Sequence, residues 1–216
     1  MHVPSADRPI SDEEWRSFIE RQGFGHLVAQ GPDGDVPVVT PTQFVLDGDD
    51  VLAHAAAPNP ILGALERQRR GLLSVAGDWA FIPSSWKAIG DEDPTRGIPT
   101  TYYAAVQLSG PIDVVFEPDA VAALLRRQLA RLQPDVEIVD PAVGHAAKLA
   151  GIRGIVLHVE HVVAKFKFGG NVDEAHRLGV IERLESRGAP GDDAALVHAR
   201  RRIGTDAPGP SAFRRD

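Results

Sequence analysis

Two Asp-Gly turns set between β-branched runs constrain this chain more than any other feature. Pro32-Asp33-Gly34-Asp35 separates Gly25-His26-Leu27-Val28-Ala29-Gln30 from a Val- and Thr-rich run, Val36 to Leu46. Asp47-Gly48-Asp49-Asp50 then separates that run from Val51-Leu52-Ala53-His54-Ala55. An Asp-Gly pair accepts the positive φ angles of a tight hairpin turn, so the three runs read as an antiparallel meander.

The remaining segments extend this pattern. Gly71 to Ile82, Thr101 to Val115 and Ile152 to Phe168 have strand character, the last with Val156, His158, Glu160 and Val162 in phase. Helical spacing marks Ser11 to Gln22, with Ser11 and Glu14 as a capping box and Trp15, Phe18 and Ile19 on one face. It also marks Ile61 to Arg70, Asp119 to Leu132 and Asp173 to Arg187. About six strands with few helices predict a mainly β (α+β) chain, a six-stranded antiparallel barrel with peripheral helices, whose closure removes exposed edges. The 216 residues suffice for one such domain, expected over residues 1–188, with a mobile or helical tail over residues 189–216.

Composition narrows the chemistry. Zero cysteines exclude a disulfide scaffold, a thiolate metal site and a cysteine nucleophile. A net charge of −7 argues against a nucleic-acid partner, and Arg200-Arg201-Arg202 reads as a solvated helix end. No apolar run approaches the roughly 20 residues that span a bilayer, so a cytoplasmic protein without a membrane partner is expected. There is no Gly-rich phosphate loop, nucleophile elbow or H-E-x-x-H motif. His158 and His161 fall in one predicted strand on opposite faces, a poor metal pair.

Polar residues gather instead where strands end. Thr40, Thr42 and Gln43 share one strand, His54 lies on the next, and Asn59 follows it. Trp86 and Lys87 follow Ile82, Thr100 to Tyr103 open another strand, and Lys165, Lys167 and Asn171 close the last. Hydroxyls, amides, an imidazole and lysines around aromatic rings suit a flat anionic cofactor.

The order of these segments resembles the PaiB-like group of the FMN-binding split-barrel superfamily, whose members are labelled FMN-binding negative transcriptional regulators. The resemblance rests on Leu52-Ala53-His54-Ala55 through Asn59-Pro60, Ala80-Phe81-Ile82 through Ser85-Trp86, Ile98-Pro99-Thr100 through Tyr103, and Ala164-Lys165-Phe166-Lys167 through Asn171. Gly179-Val180-Ile181 fits as well. It implies a dimeric split barrel with cofactor sites at the subunit interface. Several positions depart from the family pattern: Ala57 stands for an arginine, Pro41 for a histidine, Thr101 for a tryptophan, Lys87 for a tyrosine and Gly169-Gly170 for Ser-Gln. A phosphate normally takes bidentate arginine or a dense set of donors, so these changes erode an ordinary FMN site.

The pocket so remodelled is similar to that of the haem-dependent piperazate synthases, which form the N–N bond of L-piperazic acid from N5-hydroxy-L-ornithine. That resemblance implies haem b with His54 as iron ligand, and Trp86, Lys165, Lys167 and Asn171 around the cofactor. Lys87, Tyr102 and Tyr103 would move protons, and Thr40, Thr42, Gln43 and Asn59 would grip the amino-acid substrate. Two alternatives stand beside it: an oxidoreductase binding FMN or deazaflavin through Lys87, Lys165 and Lys167, and a ligand-sensing regulator.

Overall fold

The structure, a computed structural model, describes residues 1–32 and 35–205. Asp33-Gly34 of the first expected turn and residues 206–216 of the tail lie outside the described residues. In chain order the elements are α1 (Asp12–Gln22), β1 (Phe24–Ala29), β2 (Val38–Asp47), β3 (Asp50–Ala56), α2 (Pro60–Gln68), β4 (Arg70–Ile82) and β5 (Thr100–Val115). There follow α3 (Pro118–Leu132), the short α4 (Pro141–Gly144) and α5 (Ala146–Leu149), β6 (Ile152–His158), β7 (His161–Lys167), α6 (Glu174–Arg187) and α7 (Asp192–Arg200). The strands hydrogen-bond in the order β4-β1-β2-β3-β6-β5-β7, and β4 also pairs with β5. Six strands therefore form a ring, and β7 adds a seventh beside β5.

The chain divides into two compact units, and β4 and β5 contribute residues to both. One unit holds Ile19–Val75 and Gln107–Val162. Here the second Asp-Gly turn forms as expected: Asp47 pairs with Asp50, and Gly48 takes φ +66°. Alternation buries Phe44 and Leu46 of β2 on one face. On the other face Val45 and Leu52 pack with Leu124 of α3, so these strands are apolar on both sides. Each such fully buried side chain contributes about 1.5–3 kcal/mol over its exposed state.

The expected single strand from Ile152 to Phe168 is two strands. Val159 N donates to Asp49 O (3.0 Å) and Glu160 N to Ser109 O (3.0 Å), which turns the chain between β6 and β7. A side chain at Gly110 would collide with the His158 carbonyl, so glycine is required for that approach. His158 thus ends β6, bonded to Asp113 (3.1 Å) and Asp50 (2.8 Å), and these two carboxylates raise its pKa.

The other unit holds Met1–Phe18, Ala76–Val106 and the described chain from Val163 to Thr205. Trp15, Phe18, Tyr102, Phe166, Phe168 and Leu184 form its apolar core. His198 of α7 is buried among them, 4.7 Å from the Phe168 ring and stacked on it. Its Nε2 meets Asp78 Oδ2 at 2.8 Å, and its Nδ1 lies 3.5 Å from Glu14 Oε1. Arg202, read from the sequence as solvated, is instead buried, with Nη2 3.2 Å from Glu14 Oε2. Burial alone would raise the Glu14 pKa, but the His198 hydrogen bond and the Arg202 charge more than offset it, and the pKa is lowered. This ionic cluster fastens α7 to α1.

Candidate functional site

A cavity of about 630 Å³ opens in the unit built around α6. Its cationic wall comes from three strand ends. Lys87 closes the 3-10 turn Ser84–Lys87 that follows β4, Lys167 ends β7, and Thr100 begins β5. Lys167 Nζ donates to Thr100 Oγ1 at 2.6 Å. Lys87 Nζ stands 5.7 Å from the centroid of the Tyr102 ring, a distance that permits cation–π attraction. Neither lysine has a carboxylate partner among the described residues. Desolvation, and secondly the nearby Lys167 charge, hold the Lys87 pKa below the usual lysine value.

Behind this wall are two donors without acceptors. The Tyr102 hydroxyl and Arg177 Nε are both buried and have no hydrogen-bond partner among the described residues. Burial pushes the Tyr102 pKa up to about 12, against a smaller opposing effect of Arg177. Tyr102 therefore stays a phenol and a donor at any physiological pH. Gly169 has φ +79°, and a side chain there would run into the Tyr102 hydroxyl, so only glycine permits this packing. An acceptor-rich anion would satisfy both the free cations and the orphaned donors.

The rim is built differently. Asp173 caps α6 by accepting from His176 N (3.0 Å) and also accepts from His176 Nδ1 at 2.8 Å. His176 Nε2 donates to Glu92 Oε2 at 3.0 Å. The hydrogen bond to Asp173, then that to Glu92, raises the His176 pKa, which favours an imidazolium.

The structure therefore brings Lys87, Tyr102, Lys167 and Asn171 to one cavity. Trp86 lies next to Lys87, but its ring faces the Arg187 guanidinium at 4.5 Å. Tyr103 and Lys165 lie 5.7 Å apart, ring centroid to Nζ. Lys165 is paired with Asp7 (3.5 Å) and donates to His2 O (3.2 Å). Neither residue lines the cavity.

The remaining candidates belong to the other unit. Thr40 Oγ1 donates to Asn59 Oδ1 (3.2 Å), and the same oxygen caps α2 by accepting from Ile61 N (3.0 Å). Thr42 is buried and donates to Gln43 O (3.2 Å), while Gln43 is exposed. His54 is exposed on β3, with Nδ1 2.8 Å from Gln128 Oε1. Buried Gln128 donates from Nε2 to Leu52 O (3.0 Å). That bond orients the amide, so His54 must donate from Nδ1, and Nε2 is left without that contact.

His176 and Glu92 were not singled out from the sequence. The Asp173-x-x-His176 spacing is a capping signal, but Glu92 comes from a distant loop. Among the described residues no group of three or more His, Cys, Asp or Glu could hold a metal ion. No helix there is long and apolar enough to cross a membrane.

The chain is 25% identical over 199 residues to the Protease synthase and sporulation protein PAI 2 of Bacillus subtilis (strain 168), covering 88% of this chain and 92% of that one. Among solved structures it resembles the FAD and heme binding protein from Mycobacterium smegmatis, with TM-score 0.58, 20% identity and coverage of 74% of this chain and 73% of that chain. It also resembles the flavocytochrome Anf3 from Azotobacter vinelandii, with TM-score 0.55, 22% identity and coverage of 77% and 73%. At these identities the likeness is one of fold, the split β-barrel of flavin-binding proteins. Residues 1–161 match the family described as "Putative FMN-binding domain", and the protein belongs to that family.

Proposed function

We propose that the protein binds a phosphorylated flavin, FMN or a deazaflavin, and serves as a flavin-dependent oxidoreductase. One observation carries this reading: Lys87 and Lys167 line one cavity and, among the described residues, neither is paired with a carboxylate, the Asp173 of the same lining being bonded to His176, while the Tyr102 hydroxyl and Arg177 Nε nearby have no partner there. These residues fit a phosphate monoester. Lys87 and Lys167 neutralise its charge, and Thr100 and Asn171 offer further polar contacts at the same wall. Ile98, Tyr102 and Val172 supply apolar surface for a ring system. When bound, the flavin supplies the electron transfer, while the protein binds and orients it. The family match supports flavin over the N–N bond-forming cyclase.

Titration of the apoprotein with FMN, followed by quenching of flavin fluorescence, tests the reading. Stoichiometric quenching that K87A and K167A each weaken is the expected result. Binding that both variants leave untouched would refute it.

A second reading, haem held by His54, is favoured by one observation. Gln128 holds His54 Nδ1 as the donor, which leaves Nε2 as the ring nitrogen available to an axial site. A Soret band lost in H54A supports it, and a band of full intensity in that variant overturns the assignment.

A further inference from the structure

We propose that residues 88–98 form a lid over the cavity, and that the His176–Glu92 pair is the proton-operated clasp that holds it shut. The inference rests on the cavity being the anion site. Gly97 and Ile98 of this segment line the cavity, as does His176.

The stem is fastened by groups that do not titrate near neutrality. Arg183 of α6 donates from Nη1 to Trp86 O (2.8 Å) and from Nη2 to Ala88 O (3.2 Å). At the far end, a side chain on Gly97 would collide with the Ser84 carbonyl, so that end is seated closely. Between these anchors the tip is internally ordered. Asp93 accepts from Thr95 N (2.9 Å), and Glu92 Oε2 accepts from Ile89 N (3.1 Å). Among the described residues, the hydrogen bond that the tip, residues 90–96, makes outside its own segment is the one from His176 to Glu92. A pre-formed tip between firm anchors, held from outside its segment by one hydrogen bond, is suited to move as a unit.

Both ring nitrogens of His176 donate, Nδ1 to the two Asp173 oxygens (2.9 and 2.8 Å) and Nε2 to Glu92 (3.0 Å). Asp173 at the cap of its own helix and Glu92 of the lid favour the imidazolium and outweigh the opposing desolvation, and the cations of this region are Lys87 and Lys167, which line the same cavity, and Arg177 of α6. When one proton leaves, the doubly held Nδ1–H stays with Asp173. Nε2 then turns a lone pair toward the Glu92 carboxylate, and attraction becomes repulsion. The clasp is intact below the ordinary histidine range and is lost as pH rises through the raised pKa of His176. Ligand exchange should quicken over the same interval.

Hydrogen–deuterium exchange of the full-length, ligand-free chain tests this directly, read on peptides covering residues 88–98 and corrected for intrinsic rates. Wild-type protection is expected to fall about twofold to fivefold between about pH 6 and pH 8, the scale of an exposed ion pair. E92A should lack that protection at both values. E92Q should be pH-independent, because an amide can either accept from or donate to the ring. Equal wild-type protection at both pH values, or full protection in E92A at about pH 6, overturns the clasp. Stopped-flow release of FMN should accelerate with pH in the wild type. If FMN does not bind at all, the anion-site reading fails, while the exchange data still decide the lid.

Discussion

The ammonium of Lys87 stands 5.7 Å over the ring of Tyr102, a side chain whose own hydroxyl is buried without a partner among the described residues. A cation on one side of the ring and an unsatisfied donor at its edge both await an acceptor. The pair therefore gives a test in which stability and binding move in opposite directions. Replacing Tyr102 by Phe removes a hydroxyl that bonds to nothing among the described residues. Y102F should keep its urea midpoint or gain up to about 1 kcal/mol, since an unmade buried hydrogen bond is a cost. It should also bind FMN about tenfold more weakly, the scale of one hydrogen bond to a charged group. A loss of stability without a loss of affinity would make Tyr102 a packing residue only.

The depressed pKa of Lys87 has a definite sign for binding. An anion needs the ammonium, so FMN affinity should decline as pH rises through the Lys87 pKa, at lower pH than an ordinary lysine would produce. K87R cannot lose its proton in that range and should flatten the decline. Kd measured across the alkaline range, at one ionic strength, decides the matter. A decline of the same shape in K87R would shift the cause to another group.

Four residues of the cavity lining could be picked out in the sequence, and the reason is local. Lys87, Tyr102, Lys167 and Asn171 stand at strand ends, and strand ends could be read from the periodicity and the turns. The His176–Glu92 contact spans 84 residues and leaves no local mark. Arg202 reads as the end of a charged run, and Glu14, 188 residues away, supplies the opposite charge that makes its burial tolerable. The β6–β7 break was invisible for a similar reason. Val159-Glu160 contains no turn residue, and the carbonyls of Asp49 and Ser109 bend the chain there. By contrast, Asp47-Gly48 carries its own conformational preference, and its hairpin formed in the expected place.

The buried cluster on α7 predicts the acid limb of stability. The folded-state pKa of Glu14 lies below its ordinary value of 4.5, so its contribution is present above that value and is lost as pH falls through the lowered one. Replacing Glu14 by Gln leaves Arg202 buried without its charge partner, which should cost about 3–5 kcal/mol. E14Q should also lose part of the wild-type drop in stability on acidification. Denaturation midpoints at neutral and acid pH measure both effects. Equal acid sensitivity in E14Q and wild type would remove Glu14 from the account.

Gln128 sets the tautomer of His54, and this can be examined without any cofactor. Its Nε2 is committed to Leu52 O (3.0 Å), so its Oε1 requires a proton on His54 Nδ1 (2.8 Å). Long-range 15N–1H correlation spectra above the imidazole pKa should show His54 as the Nδ1–H form. In Q128L that constraint disappears, and the two tautomers should redistribute. If haem is the ligand, Q128L should weaken its binding about tenfold or more, the usual effect of losing a partner that orients a ligating histidine. An unchanged tautomer in Q128L would mean that another group orients the ring, and Gln128 would be left with no role beyond closing β3 against α3.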